Sequence, residues 1–217
     1  MQSLAPISNK NLLLQDKVDY ITFDEFKILL NAVDTKLKRS QRPNGLRNQY
    51  VRDRNKLLLM VMWTSGARIS DVLNIRTLDI DNDKMTLTYR IKKRQGKLHT
   101  ISLDNSIMYQ AINYIHKWKV EGYLFKSGSS SKTIRREQVH NLLREYSKIA
   151  MIRPVHAHLF RHGIAMYLLK KGVPMEMIAY RLGHSNVQTT AKFYARIDHD
   201  VERGFIEQVV PNMLDDE

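Results

Sequence analysis

His158 and Arg161 stand three residues apart in His156-Ala-His158-Leu-Phe-Arg161-His162-Gly, a spacing that puts both side chains on one face of a helix. An imidazole beside a guanidinium suits proton transfer next to an anion, because the first exchanges a proton near neutral pH while the second stays charged. His158 and His162, four apart, also have the spacing of a helical zinc pair, but a metalloprotease helix needs a glutamate after the first histidine and Leu159 stands there. Arg68 follows a glycine break in Thr64-Ser-Gly-Ala-Arg68-Ile-Ser-Asp71-Val-Leu, with apolar segments on both sides, which places it at the end of a buried helix. Its planar fork of donors matches phosphate oxygens. The spacing equally fits an ion pair with Asp71, three residues on, and such a carboxylate can orient the guanidinium. A third constellation is Leu182-Gly183-His184, followed ten residues later by Phe193-Tyr194; alone, a buried histidine and a half-buried tyrosine are more often satisfied core residues.

The surrounding composition narrows the chemistry. The 217 residues hold 35 Lys and Arg against 22 Asp and Glu, a net charge of +13, which points to a polyanion such as nucleic acid. With 43% hydrophobic residues and few Gly and Pro the chain has material for a core, and at this length it buries roughly 70% of its unfolded surface without staples. There is no cysteine, which excludes thiol catalysis and Cys-based zinc sites and fits a reducing compartment. Asp79-Ile-Asp-Asn-Asp83 begins like a calcium loop, yet Lys84 and Arg90 occupy the positions that require Gly and Glu. No carboxylate cluster suits a two-metal nuclease and no Gly-rich phosphate loop suits ATP, so neither metal nor cofactor is expected. Without a secretory signal or a run near the ~20 apolar residues of a membrane span, the expected location is the cytoplasm, in association with the nucleoid.

The elements that must position these residues read as mainly α (α+β). Thr22-Phe-Asp-Glu25 has the spacing of a capping box and opens a helix through Val33; a second helix is expected over 50–63, buried on more than one side, and a short one over 69–75. Residues 85–91 alternate as a strand, Gln95-Gly96 turns, and 97–103 returns. Helices follow over 105–120, 133–150, 157–171, 174–182, 187–196 and 203–209. The hairpin is the most basic segment: Lys84, Arg90, Lys92, Lys93, Arg94 and Lys97 meet no acid before Thr100. Such a β-ribbon can enter a DNA groove, or it can be a solvated edge kept soluble by lysines.

Together these motifs resemble the catalytic domain of the tyrosine recombinases, the phage-integrase family. Thr64–Leu73 is similar to that family's first-arginine motif, His158-Leu-Phe-Arg161-His162 to its His-x-x-Arg box and Leu182-Gly-His184-Ser to its third box, with Tyr194 at the nucleophile's place. The resemblance implies that Tyr194 attacks a phosphodiester of double-stranded DNA, forming a 3′-phosphotyrosyl bond that conserves bond energy for rejoining without ATP. It implies that Arg68, Arg161 and His184 cradle the charge on the non-bridging oxygens, that His158 takes the tyrosine proton or orients the phosphate, and that a hairpin lysine protonates the leaving 5′-oxygen. Lys93 is the expected acid and Lys92 the next choice; Lys92, Arg94, Lys97 and Arg90 would hold DNA, and Asp71 would brace Arg68.

The expected organisation is an arm or linker over 1–20, the catalytic domain over 21–200 and a tail over 201–217. Members of the family carry an N-terminal domain that closes around the duplex, so the chain is expected to be a fragment or a minimal form. Phe205, Ile206, Val209 and Val210 make an apolar patch that would pack on a neighbouring protomer, in a homo-oligomer of four on two DNA sites, or on its own domain. Two other functions fit part of the pattern: a helix-turn-helix DNA-binding protein, from Ile178 to Thr190, and a type IB topoisomerase built on the same constellation.

Overall fold

In the computed structural model, which describes residues 20–38, 45–128 and 130–184, Thr22 opens α1 (Phe23–Lys38) as its spacing predicts. The Thr22 hydroxyl accepts from the Glu25 amide at 3.1 Å and the Glu25 carboxylate accepts from the Thr22 amide at 2.8 Å, so the two side chains satisfy donors that the first turn leaves open. α2 (Leu46–Ser65) starts earlier and ends later than the expected 50–63, because its first turn is too exposed to carry a burial period. From Leu57 to Ser65 it is buried on nearly every side, packed among α1, α4 (Asn105–Trp118) and α6 (Ala157–Lys170). Phe26 of α1 stacks on Trp63 of α2 at 4.7 Å and meets Phe160 of α6 edge-on at 6.2 Å. Burying each such ring contributes about 1.5–3 kcal/mol, and the three together fix α6 against the end of α2.

After the short α3 (Ile69–Val72) the chain forms a three-stranded antiparallel sheet in the order β1 (Ile80–Asp81), β2 (Thr86–Ile91), β3 (Lys97–Ser102). The expected hairpin is β2–β3, with Tyr89 opposite His99; β1 was not expected, since two residues show no alternation. β2 begins at Thr86 because Met85 adopts φ +53°. Leu87, Tyr89 and Ile91 face the core, and a 3₁₀ turn over Lys92–Arg94 carries the chain to Gln95-Gly96. Asp79 and Asp81, the carboxylates of the rejected calcium loop, are turn caps, accepting from the Arg76 and Lys84 amides at 2.7 and 3.0 Å. α5 (Arg136–Ile149) starts later than 133 because Ile134 donates its amide to the Phe125 carbonyl at 2.9 Å and Thr133 bridges to Lys126. α7 (Met175–Arg181) closes the described chain. Tyr194, the helices expected over 187–196 and 203–209, residues 1–19 of the expected arm and the tail patch lie outside the described residues.

Candidate active site

The motifs meet where α2 ends. Gly66 caps the helix with φ +57°, a conformation that side chains with a Cβ adopt only under strain, and its amide reaches the Met62 carbonyl at 3.2 Å. A Cβ here would lie 2.6 Å from Leu182 Cδ2 and 2.9 Å from Ile164 Cγ2, so the third box and the His-x-x-Arg helix both press on this one residue. Ser65 Oγ donates to the Val61 carbonyl at 2.6 Å and accepts from the Ala67 amide at 3.1 Å, holding the turn from inside. Arg68 then follows in an extended conformation just before α3, half-buried. Arg161, 5% exposed, donates Nη1 to the Gly66 carbonyl at 2.7 Å. That bond satisfies a carbonyl left open by the helix end and seats the second guanidinium beside the first.

The hairpin is fastened to the same turn. Asp71, 2% exposed, accepts the Lys92 amide at 3.1 Å and lies 3.4 Å from the Ser70 hydroxyl. The sequence suggested that Asp71 braces Arg68; its carboxylate instead holds the start of the lysine turn, and among the described residues it makes no ion pair with Arg68. The reason is geometric: a buried acceptor facing the 3₁₀ turn meets an open backbone donor there. Gly183, φ +65°, lies against the hairpin so closely that a Cβ would sit 2.5 Å from Ile91 Cδ1, and its carbonyl is 3.5 Å from Arg94 Nη1. Lys92, Lys93 and Lys97 are exposed, Arg94 is half-buried, and Arg90 lies 3.5 Å from the Gly96 carbonyl.

Arg68, His158 and Arg161 line one open cavity of about 910 Å³; Lys92, Lys93 and His184 are not on its wall. Electrostatics nonetheless tie His184 to the pair. Burial, followed by the positive charges of Arg161 and Arg68, pulls its pKa down to about 4. His158 is lowered for the same reasons, burial first and then Arg161, His156 and Arg68. Its ring lies 4.3 Å from that of His162 in an edge-on arrangement. Both shifts favour the neutral imidazole, the form that can accept a proton. Behind the arginines, Tyr89 is 2% exposed with its hydroxyl unpartnered among the described residues, and burial raises its pKa against the charge of Arg161. Among the described residues no three His, Asp or Glu side chains gather to hold a metal ion.

Sequence reasoning overlooked the opposite wall of the cavity. Arg136, Glu137, His140 and Asn141 of α5 face the three motif residues, joined by His156. Arg136 and His140 are four apart and exposed in the first turns of α5, on the edge of the face that buries Val139 and Leu143, and so look like ordinary solvated residues of an amphipathic helix. The signal that could have found them is a helix of such polarity next to the His-x-x-Arg box.

This is a helical catalytic-domain class in which an arginine turn, a His-x-x-Arg helix, a glycine-histidine loop and a basic hairpin lock together. The chain belongs to the phage integrase family, whose model matches residues 19–200. It is 30% identical over 173 residues to a probable integrase/recombinase protein of Methanocaldococcus jannaschii, covering 75% of this chain and 51% of that protein. It is 27% identical over 217 residues to the tyrosine recombinase XerA of Pyrococcus horikoshii, covering 93% and 74%. It is 33% identical over 171 residues to transposase A from transposon Tn554 of Staphylococcus aureus, covering 70% and 46%. The chain thus spans about half the length of the first and third of these relatives. A crystal structure of XerA recombinase has the same fold, with a TM-score of 0.70 over 89% of this chain and 65% of that one at 22% identity. The catalytic domain of bacteriophage HP1 integrase matches with a TM-score of 0.56 over 88% and 95% at 17% identity. Among the described residues no helix is long and apolar enough to cross a membrane.

Proposed function

We propose that this chain is the catalytic domain of a site-specific DNA recombinase or integrase that cleaves and rejoins strands through a 3′-phosphotyrosyl bond at Tyr194. The observation that carries the reading is the convergence on Gly66: Arg161 bonded to its carbonyl, Arg68 following it, and a neutral His184 within reach of both charges. Arg161, held by the Gly66 carbonyl, and Arg68 on the same cavity wall offer donors to the non-bridging oxygens of a phosphodiester, whose charge grows as the fifth oxygen bonds to phosphorus. Removing one such donor costs about 3–4 kcal/mol of barrier. His158, neutral on the cavity wall, takes the phenolic proton of Tyr194 or orients the phosphate, and Lys93 on the exposed turn gives a proton to the departing 5′-oxygen, with Lys92 the alternative donor. The α5 wall and Arg90, Arg94 and Lys97 of the hairpin supply sequence-independent grip on duplex DNA. The names of the relatives, recombinases and a transposase, support this reading, as does the similar fold of XerH, solved bound to a palindromic difH substrate. Assembly of four protomers on two DNA sites, in a nucleoid-associated protein, belongs to the same proposal.

The test is a library of nicked duplexes with a randomised core, in which the fragment after the cut diffuses away and traps the enzyme. Wild type accumulates a covalent adduct without metal or ATP, sequencing maps the 3′ junction, and Tyr194→Phe gives none. A folded wild-type chain that forms no adduct leaves only DNA binding, and relaxation of any plasmid regardless of sequence replaces the recombinase reading with the topoisomerase one.

A further inference from the structure

α2 ends with two carbonyls directed at guanidinium groups, and only one of those groups belongs to the motifs. Gly66 O takes Arg161; two residues earlier, Thr64 O accepts Nε of Arg181 at 2.8 Å. Arg181 Nη2 reaches the Ser102 carbonyl at the end of β3 at 3.2 Å, and the Arg181 carbonyl pairs with His99 Nε2 at 3.3 Å. One residue in the last turn of α7 therefore bonds the helix that ends at the arginine turn, the outer strand of the sheet and, through its backbone, the buried histidine of that strand. Among the described residues no carboxylate makes an ion pair with it. A guanidinium held by backbone carbonyls alone is fixed in place by shape, since carbonyls bound in a helix end and a strand cannot move to follow it. Three residues later comes His184, with Gly183 between them wedged against Ile91.

We propose that Arg181 is a positioning residue of the cleavage site: by bonding the Thr64 and Ser102 carbonyls it sets where the His184 imidazole stands relative to Arg68 and Arg161. It does so without touching the phosphate. This rests on the reading of His184 as part of the phosphate cradle. A displacement of about 1 Å at a reacting centre can cost up to about 100-fold in rate, so a residue that fixes such a distance is visible in kinetics even though it is remote from the chemistry.

The experiment uses the 217-residue chain carrying Arg181→Gln, Arg181→Lys, His184→Ala and the double substitution Arg181→Gln/His184→Ala. Single-turnover cleavage of the trapped duplex, DNA affinity, and the His184 imidazole pKa by NMR are measured. Arg181→Gln is expected to slow cleavage at saturating DNA by about 10- to 100-fold with affinity unchanged within about twofold. Arg181→Lys, which keeps one donor for Thr64, recovers part of the rate. In the His184→Ala background the same change has little further effect, because a residue that acts through another loses its role when that partner is gone. The imidazole pKa, about 4 in the folded chain, rises toward the ordinary 6.5 in the Gln variant. An unchanged rate in the folded Gln variant, an undiminished loss in the His184→Ala background, or an unmoved imidazole pKa overturns the inference. If Gln prevents folding, the Lys variant carries the same comparisons. A wild-type chain that forms no adduct sinks the recombinase reading instead, and the imidazole titration still decides the role of Arg181.

Discussion

Replacing Gly66 with alanine tests whether the arginine turn, the His-x-x-Arg helix and the third box are truly packed on one residue. Two costs can be separated. Holding an alanine at φ +57° costs about 1–2 kcal/mol. The new methyl also meets Leu182 Cδ2 at 2.6 Å and Ile164 Cγ2 at 2.9 Å. The first is the end of a leucine that can turn, but Leu182 is 3% exposed and has little space to turn into; the second is fixed on a β-branched side chain of α6. Overpacking of this kind costs about 1–3 kcal/mol, for a total of roughly 2–5 kcal/mol and a fall in Tm of roughly 5–15 °C. Gly96 supplies the control: its φ is +76° and a Cβ there meets nothing within 4 Å, so Gly96→Ala should show the backbone cost alone. Urea unfolding of both variants, with m unchanged, gives the two values. If Gly66→Ala costs no more than Gly96→Ala, the His-x-x-Arg helix and the third box do not press on Gly66, and the origin of the site's geometry must be sought elsewhere.

Three further outcomes follow from the same geometry. His184, His158 and His99 all have pKa values lowered by burial, His184 to about 4, so between about 4 and 6.5 the unfolded chain binds more protons than the folded one. Stability is therefore complete above that window and falls as the pH drops through it, and His184→Gln flattens the fall; a pH-independent midpoint of unfolding between 4 and 6.5 would refute this. Lys93→Ala slows cleavage by about 10²–10⁴-fold, and a bridging sulfur at the 5′ leaving position restores it because a thiolate leaves without a proton. If Lys92→Ala is the variant so rescued, the acid is Lys92. DNA affinity, read by anisotropy, falls by about 10³-fold between 50 and 200 mM salt if about six phosphates are contacted, and a flat response removes the electrostatic account of the +13 charge.

What could be read in the sequence was what chemistry demands of side chains. Arg68, His158 and Arg161 stand out through residue type and spacing, His184 only in company with those motifs, and Gly66 marks a helix end because an apolar segment stops at it. The helices were legible through their apolar period, with errors at ends such as Leu46 and Thr133, where exposure or a strand-like bridge overrides the period. β1 was illegible because two residues cannot alternate visibly.

The remaining gaps have one physical origin. Asp71 was read as a partner for Arg68 because both are charged side chains at a favourable spacing, whereas its hydrogen bond goes to the Lys92 amide, a backbone donor that every residue but proline carries. Arg181 was passed over for the same reason: its partners are the carbonyls of Thr64 and Ser102, and a carbonyl leaves no trace in residue identity. Side chains that bond side chains produce patterns of complementary types, while side chains that bond backbone produce only an isolated polar residue in a buried place. Residues whose types form a pattern therefore surface first in a sequence, and residues held by backbone amides or carbonyls surface only when the chain is folded. In this chain these contacts end on the residues from Thr64 to Asp71, which makes Arg181, bonded to the Thr64 carbonyl from outside the motifs, the place where a substitution should disturb cleavage if the proposed site is the working one.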